Sequence, residues 1–360
     1  MTDWRAFVAR RYRTFHRTTL GQGFVGALSG PAIVIPLLLA LDAPAPVAAV
    51  VATLPVLGST GQLLVPRLLR ATDGNLRGLV LLAAALGETR GFLLLIVTGL
   101  AAAGVIPSGV AVPLIAVVVG LAATLAGVHY SVLQVWYQVI LPEPERRLLA
   151  PRLHGIALGI GAVLLLPTAL VIDLFDRYIG LWVFAVPFGV SAVASVVVLV
   201  SLRRLPRPGR VHVPPVAEAP VPDPARLARF RQVSALGALG VGLAPYFSIY
   251  SMVILGQSAG FAVLLSGVAS ASAVLTSTAA SSLLHHGSAS RLQRSAYAVR
   301  AGTMAAALLA FPGNPVAPAL VIVLVAVLAA GDIAGQLSGT ERFFRLTSGS
   351  SAIAHQGRYV

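Results

Sequence analysis

The sequence has no cysteine, no lysine and few acidic side chains. Without cysteine there is no disulfide scaffold, no thiolate nucleophile and no sulfur-ligated metal. Charged residues make up 11% of the chain, against roughly 25% in an ordinary soluble protein. So few charges cannot coat a water-soluble globule of 360 residues, which excludes a soluble enzyme. The motifs of hydrolytic and nucleotide chemistry are missing too: no H-E-x-x-H, no P-loop and no G-x-S-x-G occurs. His285 and His286 have no acid or cysteine beside them, so no metal site is expected there. Neither a catalytic residue, a metal nor a cofactor is expected, and the chain reads as a non-enzyme.

What is present points to a bilayer. Hydrophobic residues make up 57% of the chain and the mean hydropathy is +0.87. About 20 apolar residues cross the hydrocarbon core. Spans are expected at Thr18–Leu41, Ala43–Pro66, Gly78–Ala103, from the Gly104–Gly109 break to Leu141, at Leu153–Ile172 and at Gly180–Leu202. A proline- and arginine-rich stretch, 203–231, follows as a linker. Between Gln232 and Ser290 no charged residue occurs, which allows two spans with a turn at Gly256–Gly260. A ninth span begins near Ser295, breaks at Pro312–Pro315, and a tenth ends near Ser338 ahead of a polar tail. The expected protein is therefore all-α and polytopic, with about ten helices arranged six and four. Its parts are 1–202, the linker 203–231, and a second bundle with its tail, 232–360.

The 26 basic residues, all arginine, carry a formal net charge of +14. They sit between apolar runs, with no basic face interleaved with aromatics, so a nucleic-acid partner is not expected. With the N-terminus in the cytoplasm nearly every arginine falls inside; Arg177 alone falls outside, and Arg90 and Arg300 lie within spans. The first apolar run is too long for a cleavable signal. These features predict a multi-pass protein of the cell membrane with N-terminus and linker cytoplasmic. A lysine-free chain rich in Ala, Gly, Val and Arg also points to a GC-rich bacterial genome.

Three landmark pairs recur about 210 residues apart: Arg17 and Arg231, Arg90 and Arg300, Arg147 and Arg358. With the linker after the sixth span, the pattern resembles the major facilitator superfamily, whose fold joins two six-helix bundles through a long cytoplasmic loop. Leu141-Pro142-Glu143-Pro144-Glu145-Arg146-Arg147 is similar to that family's loop between helices four and five, and His355-Gln356-Gly357-Arg358-Tyr359 to its second-half counterpart. The loop between helices two and three departs from the family's G-x-x-x-D-R-x-G-R: Arg67, Arg70, Asp73, Gly74 and Arg77 stand at other spacings. The second-half loop around Gly287, Arg291 and Arg294 has no acid. Set against the family pattern, the last two helices are expected to be missing, through truncation, a split gene or genuine loss; that would leave the second bundle incomplete, with a separate chain or a second copy as a candidate to supply them.

Polar groups within the spans are the candidate site residues, because each charge at bilayer depth costs roughly 2.5–3.5 kcal/mol on insertion scales. Glu88 and Arg90, two residues apart on span three, point away from each other and should seek partners on other helices. Arg300 and Asp332 lie at matching depths on spans nine and ten and are expected to pair. Tyr130, Gln134, Tyr137 and Gln138 share one face of span four, flanked by His129 and Trp136. The resemblance implies that helices one, four, seven and ten line a central cavity. That would place Tyr130, Gln134, Tyr137, Tyr246, Tyr250 and Gln336 there; an interfacial aromatic belt is the alternative for the far end of span four. Small residues on span eight, among them Ser266, Ser270 and Ser277, favour close helix packing.

The function expected is secondary transport of a small solute by alternating access, with protons as a candidate coupling ion. Spans without ionisable groups fit an exporter of amphipathic compounds better than a sugar or anion importer. The alternatives are a non-transporting scaffold of the same fold and a carrier built from two five-helix halves.

Overall fold

The structure is a computed structural model that describes residues 13–140, 143–204, 225–226, 228–230, 232–233, 244–286 and 289–346. Every regular element among them is helical. The first half contains α1 (Arg13–Leu28), α2 (Pro31–Ala40), α3 (Ala45–Gly58), α4 (Val65–Ala71), α5 (Leu76–Glu88), α6 (Arg90–Ala102), α7 (Ser108–Ile140), α8 (Glu143–Ile179) and α9 (Ala185–Arg203). The second half contains α10 (Ala244–Val253), α11 (Ala259–His286), α12 (Ala289–Ala306) and α13 (Ala317–Leu346).

Seven stretches of the described chain are long and apolar enough to cross a membrane. One of them, Gly155–Arg203, has 49 residues, room for two crossings. It bends at Gly180, where φ is +53°, a left-handed value that glycine adopts without a Cβ clash. The other two expected spans correspond to α10, ten residues long as described, and α12, which carries Arg291, Arg294 and Arg300. Neither reaches the length and apolarity of the rest, so the structure supports a multi-pass helical membrane protein without fixing the count at ten. The linker residues 205–224, the tail from 347 onward, and the side chains of Gln134, Tyr137, Gln138, His285 and His286 lie outside the described residues.

Helix direction alternates, so Arg17, Arg67, Arg70, Arg77, Arg203, Arg204, Arg291, Arg294 and Arg342 gather at one end of the bundle, here the arginine face. Lipid tails are as apolar as leucine, so packing inside a membrane depends on close fit more than on burial. Glycines supply that fit. A Cβ on Gly23 of α1 would meet the Ala157 carbonyl oxygen of α8 at 3.1 Å. One on Gly58 of α3 would meet the Ala123 carbonyl carbon of α7 at 2.5 Å. Because the obstacle is backbone, Gly58→Leu is expected to cost about 1–3 kcal/mol or more by overpacking, read as a lower melting temperature in detergent.

The small residues of α11 do the same against α8. A Cβ on Gly161 would lie 3.0 Å from Ser270 Oγ, and one on Gly155 would lie 3.4 Å from Ser277 Oγ. The α8–α11 pair is the longest seam between the two halves. A second join is apolar: the core built on Ile33, Leu37 and Leu38 of α2 takes in Ile249 of α10 and Val263 of α11. Phe247, Leu265, Val321 and Leu328 form a separate core inside the second half.

Candidate functional site: a cavity between the two halves

Span one is interrupted in its middle. α1 ends at Leu28, Gly30 is extended (φ −90°, ψ −176°), and α2 restarts at Pro31, which has no N–H to lose at a helix start. The Ser29 hydroxyl caps the break by donating to the Val25 carbonyl at 2.6 Å. About 210 residues later Pro245 stands at the start of α10, which like α2 has ten residues. The two proline-led helices face each other across a cavity of about 190 Å³. Pro31, Ala32 and Ile35 line it from α2, Pro245 and Ser248 from α10, Leu265, Ser266 and Ala269 from α11, and Val325 from α13.

The wall is apolar and carries no charged side chain. Ser248 spends its hydroxyl on the Ala262 carbonyl at 3.3 Å. Ser266 makes no hydrogen bond among the described residues, so its hydroxyl is free to meet a ligand. At the end away from the arginine face the two halves are in contact. There α2 packs on α10 and α11, and α3 packs on α10. At the same end the Asp173 carboxylate of α8 accepts from the Gly260 N–H at 2.9 Å and from the Ser258 hydroxyl at 3.1 Å. Ser258 in turn caps α11 by accepting from the Phe261 N–H at 3.1 Å. A carboxylate on the positive end of a helix is a favourable charge–dipole contact, and this one ties the first half to the second.

Of the residues expected to line a cavity, none of those described is in its wall. Tyr246 packs against the core shared by α2 and α10, and Tyr250 donates its hydroxyl to the Ala310 carbonyl. Tyr130 is 46% exposed and sits edge-on to His129 at 5.6 Å, and Gln336 is exposed on α13. Sequence reasoning missed Pro31 and Pro245. Their shared spacing with the arginine landmarks was the signal that could have found them.

The intramembrane charges separate into two groups. Arg300 Nε and Asp332 Oδ1 lie 2.8 Å apart, the ion pair expected from their depths. Gly331 makes room for it, since a Cβ there would press on Arg300 Cγ at 2.9 Å. Beneath the pair, Arg300 lies over the Tyr297 ring at 5.8 Å, and the Tyr297 hydroxyl accepts from Gln293 at 2.9 Å. Gln293 accepts from Arg342, whose guanidinium covers the Phe230 ring at 5.2 Å. In the first half, Arg90 donates Nε to Ser29 Oγ at 2.9 Å, at the break in span one. Glu88 is buried, and its carboxylate makes no ion pair or hydrogen bond among the described residues. Gln22 of α1 donates to His129 Nε2 at 2.6 Å, a buried contact between spans one and four that polarity counting passed over.

Three solved structures share this architecture. A D-xylose–proton symporter is 13% identical over 97% of this chain and 87% of its own, with a TM-score of 0.67. The nucleoside transporter NupG is 13% identical over 96% and 85%, at 0.60. FucP, a major facilitator superfamily transporter crystallised in the outward conformation, is 14% identical over 95% and 89%, at 0.53. The chain has a major-facilitator-like fold. No family model matches the sequence, and no curated protein is significantly similar to it. In this major-facilitator-like frame the cavity lies between the two bundles, where their proline-led first helices meet.

Proposed function

We propose that the chain is a secondary transporter of the cell membrane, exporting a small, neutral, amphipathic solute by alternating access. The observation that carries the reading is the cavity between two proline-led helices, one from each half, with the halves in contact at the end away from the arginine face. Midplane sites at the junction of repeats, beside interrupted helices, are the usual design of secondary transporters. The solved structures of like fold are transporters as well. With the arginine face in the cytoplasm, the end where the halves meet is the outer one, and solute enters from the cytoplasm.

The wall sets the solute class. Apolar side chains with one uncommitted hydroxyl, Ser266, favour an apolar body bearing one polar group, and the missing charge disfavours ions. At about 190 Å³ the space lies below the roughly 300–1,000 Å³ of drug-sized pockets, so the solute is small. The test is flux in reconstituted vesicles across a panel of small neutral compounds. Ala269→Trp fills the cavity and is expected to abolish flux while the melting profile and membrane insertion persist. Unchanged flux in that variant rejects the site.

A further inference from the structure

α9 carries a second feature that the transport reading does not use. Val186, Val190, Val193, Val197 and Val200 recur at alternating four- and three-residue spacing, one face of a helix, and all are exposed. Val193 is 68% exposed. The same face continues to Arg204, which caps the helix, and Arg203 stands beside it; both are exposed. From Val193 to Arg204 is about 16 Å at 1.5 Å per residue, close to the roughly 15 Å depth of one leaflet of hydrocarbon.

A third guanidinium is brought to that end from another helix. Arg77 of α5 donates Nη2 to the Arg203 carbonyl at 2.7 Å, and its Nε is buried without a hydrogen-bond partner. α1 runs antiparallel to α9 with Gly21 against Val198, so Arg17, one turn below Gly21, lies at the level of Leu202. Four arginines from three helices therefore share one level. No carboxylate forms an ion pair with any of them among the described residues, and Asp73, the acid of the adjoining loop, is not bonded to them.

We propose that this corner holds an anionic phospholipid, its phosphate headgroup on Arg77, Arg203 and Arg204 and an acyl chain along the α9 valines. Gathered like charge is unfavourable unless an anion joins it, and a headgroup is the anion found at the level where the apolar face ends. The proposal rests on the orientation given under the proposed function only in placing the site in the inner leaflet. Headgroup binding and sidedness are separate measurements, so the failure of one is distinguishable from the failure of the other.

The experiment is lipid retention by the full-length protein extracted from vesicles of mixed phosphatidylglycerol and phosphatidylethanolamine, read by native mass spectrometry. Phosphatidylglycerol is expected to be enriched on the wild type, and the enrichment to fall as salt rises. Each arginine near the surface contributes a few-fold to tenfold in anionic-lipid affinity, so Arg77→Gln with Arg204→Gln is expected to lower retention about thirtyfold. Arg77→Lys with Arg204→Lys should largely keep it. Arg291→Gln with Arg294→Gln removes equal charge from the same side of the other half and should change little. Equal loss in that control, or no enrichment on the wild type, overturns the proposal. Displacement of the lipid by inorganic phosphate at modest concentration also overturns it, since the site would then serve a free anion.

Discussion

Asp332→Ala is expected to destabilise the protein by about 3–5 kcal/mol, the usual result of leaving one partner of a buried ion pair without the other. Arg300 and Asp332 are 8% and 15% exposed at their side chains, and their charges meet at 2.8 Å between α12 and α13. Once the carboxylate is gone, the guanidinium has the Tyr297 ring and little else, and arginine does not shed its charge. The measurement is the melting temperature in detergent, with insertion checked by fractionation. Replacing both partners by apolar residues, Arg300→Met with Asp332→Leu, should recover most of the stability, because the unpaired charge and not the lost attraction carries the penalty. The double variant also separates two roles. If it folds and transports, the pair is a packing device; if it folds and does not transport, the pair belongs to the conformational cycle.

The pair was legible in the sequence because depth is legible. Two consecutive antiparallel spans fix how far each residue sits from the turn between them, and equal depths bring Arg300 and Asp332 together. The same logic made the small residues of α11 a packing surface, and Ser270 and Ser277 do face glycines of α8. The cavity was not legible in that way. Its wall is Pro, Ala, Ile, Leu, Val and Ser, residues that carry no chemical signature in an apolar chain. A search for polarity selects Tyr246 and Tyr250 instead. Which way a tyrosine turns depends on neighbours far along the chain: Tyr250 finds the Ala310 carbonyl and leaves the cavity to Ser248. Arg90 shows the same limit. Helical geometry sends it to a partner on another helix, but that partner, Ser29, follows from a break in span one that only Gly30-Pro31 announces.

That break and the seam at Asp173 set up the other large effect. In Gly260→Val, labelling of a cavity thiol is expected to switch sides. A Cβ at Gly260 would collide with the Asp173 carboxyl and, more seriously, with the Ala169 carbonyl oxygen of the α8 backbone. A side chain can rotate away from such a contact and a helix backbone cannot, so α8 and α11 must part at the end away from the arginine face. The charge–dipole contact of Asp173 with the first turn of α11 is lost in the same movement. Two-state arithmetic makes the consequence large, since a shift of about 3 kcal/mol changes the population ratio more than a hundredfold. The readout uses what the sequence lacks. With no native cysteine, Ser248→Cys introduces a single thiol in the cavity wall. In the otherwise native protein that thiol should react with an impermeant maleimide added at the arginine face and resist it from the other side. With Gly260→Val added, the preference should reverse. Asp173→Asn weakens the charge–dipole contact without adding bulk and should produce a smaller shift in the same direction. Identical labelling in all three proteins would mean that access to the cavity does not depend on this seam.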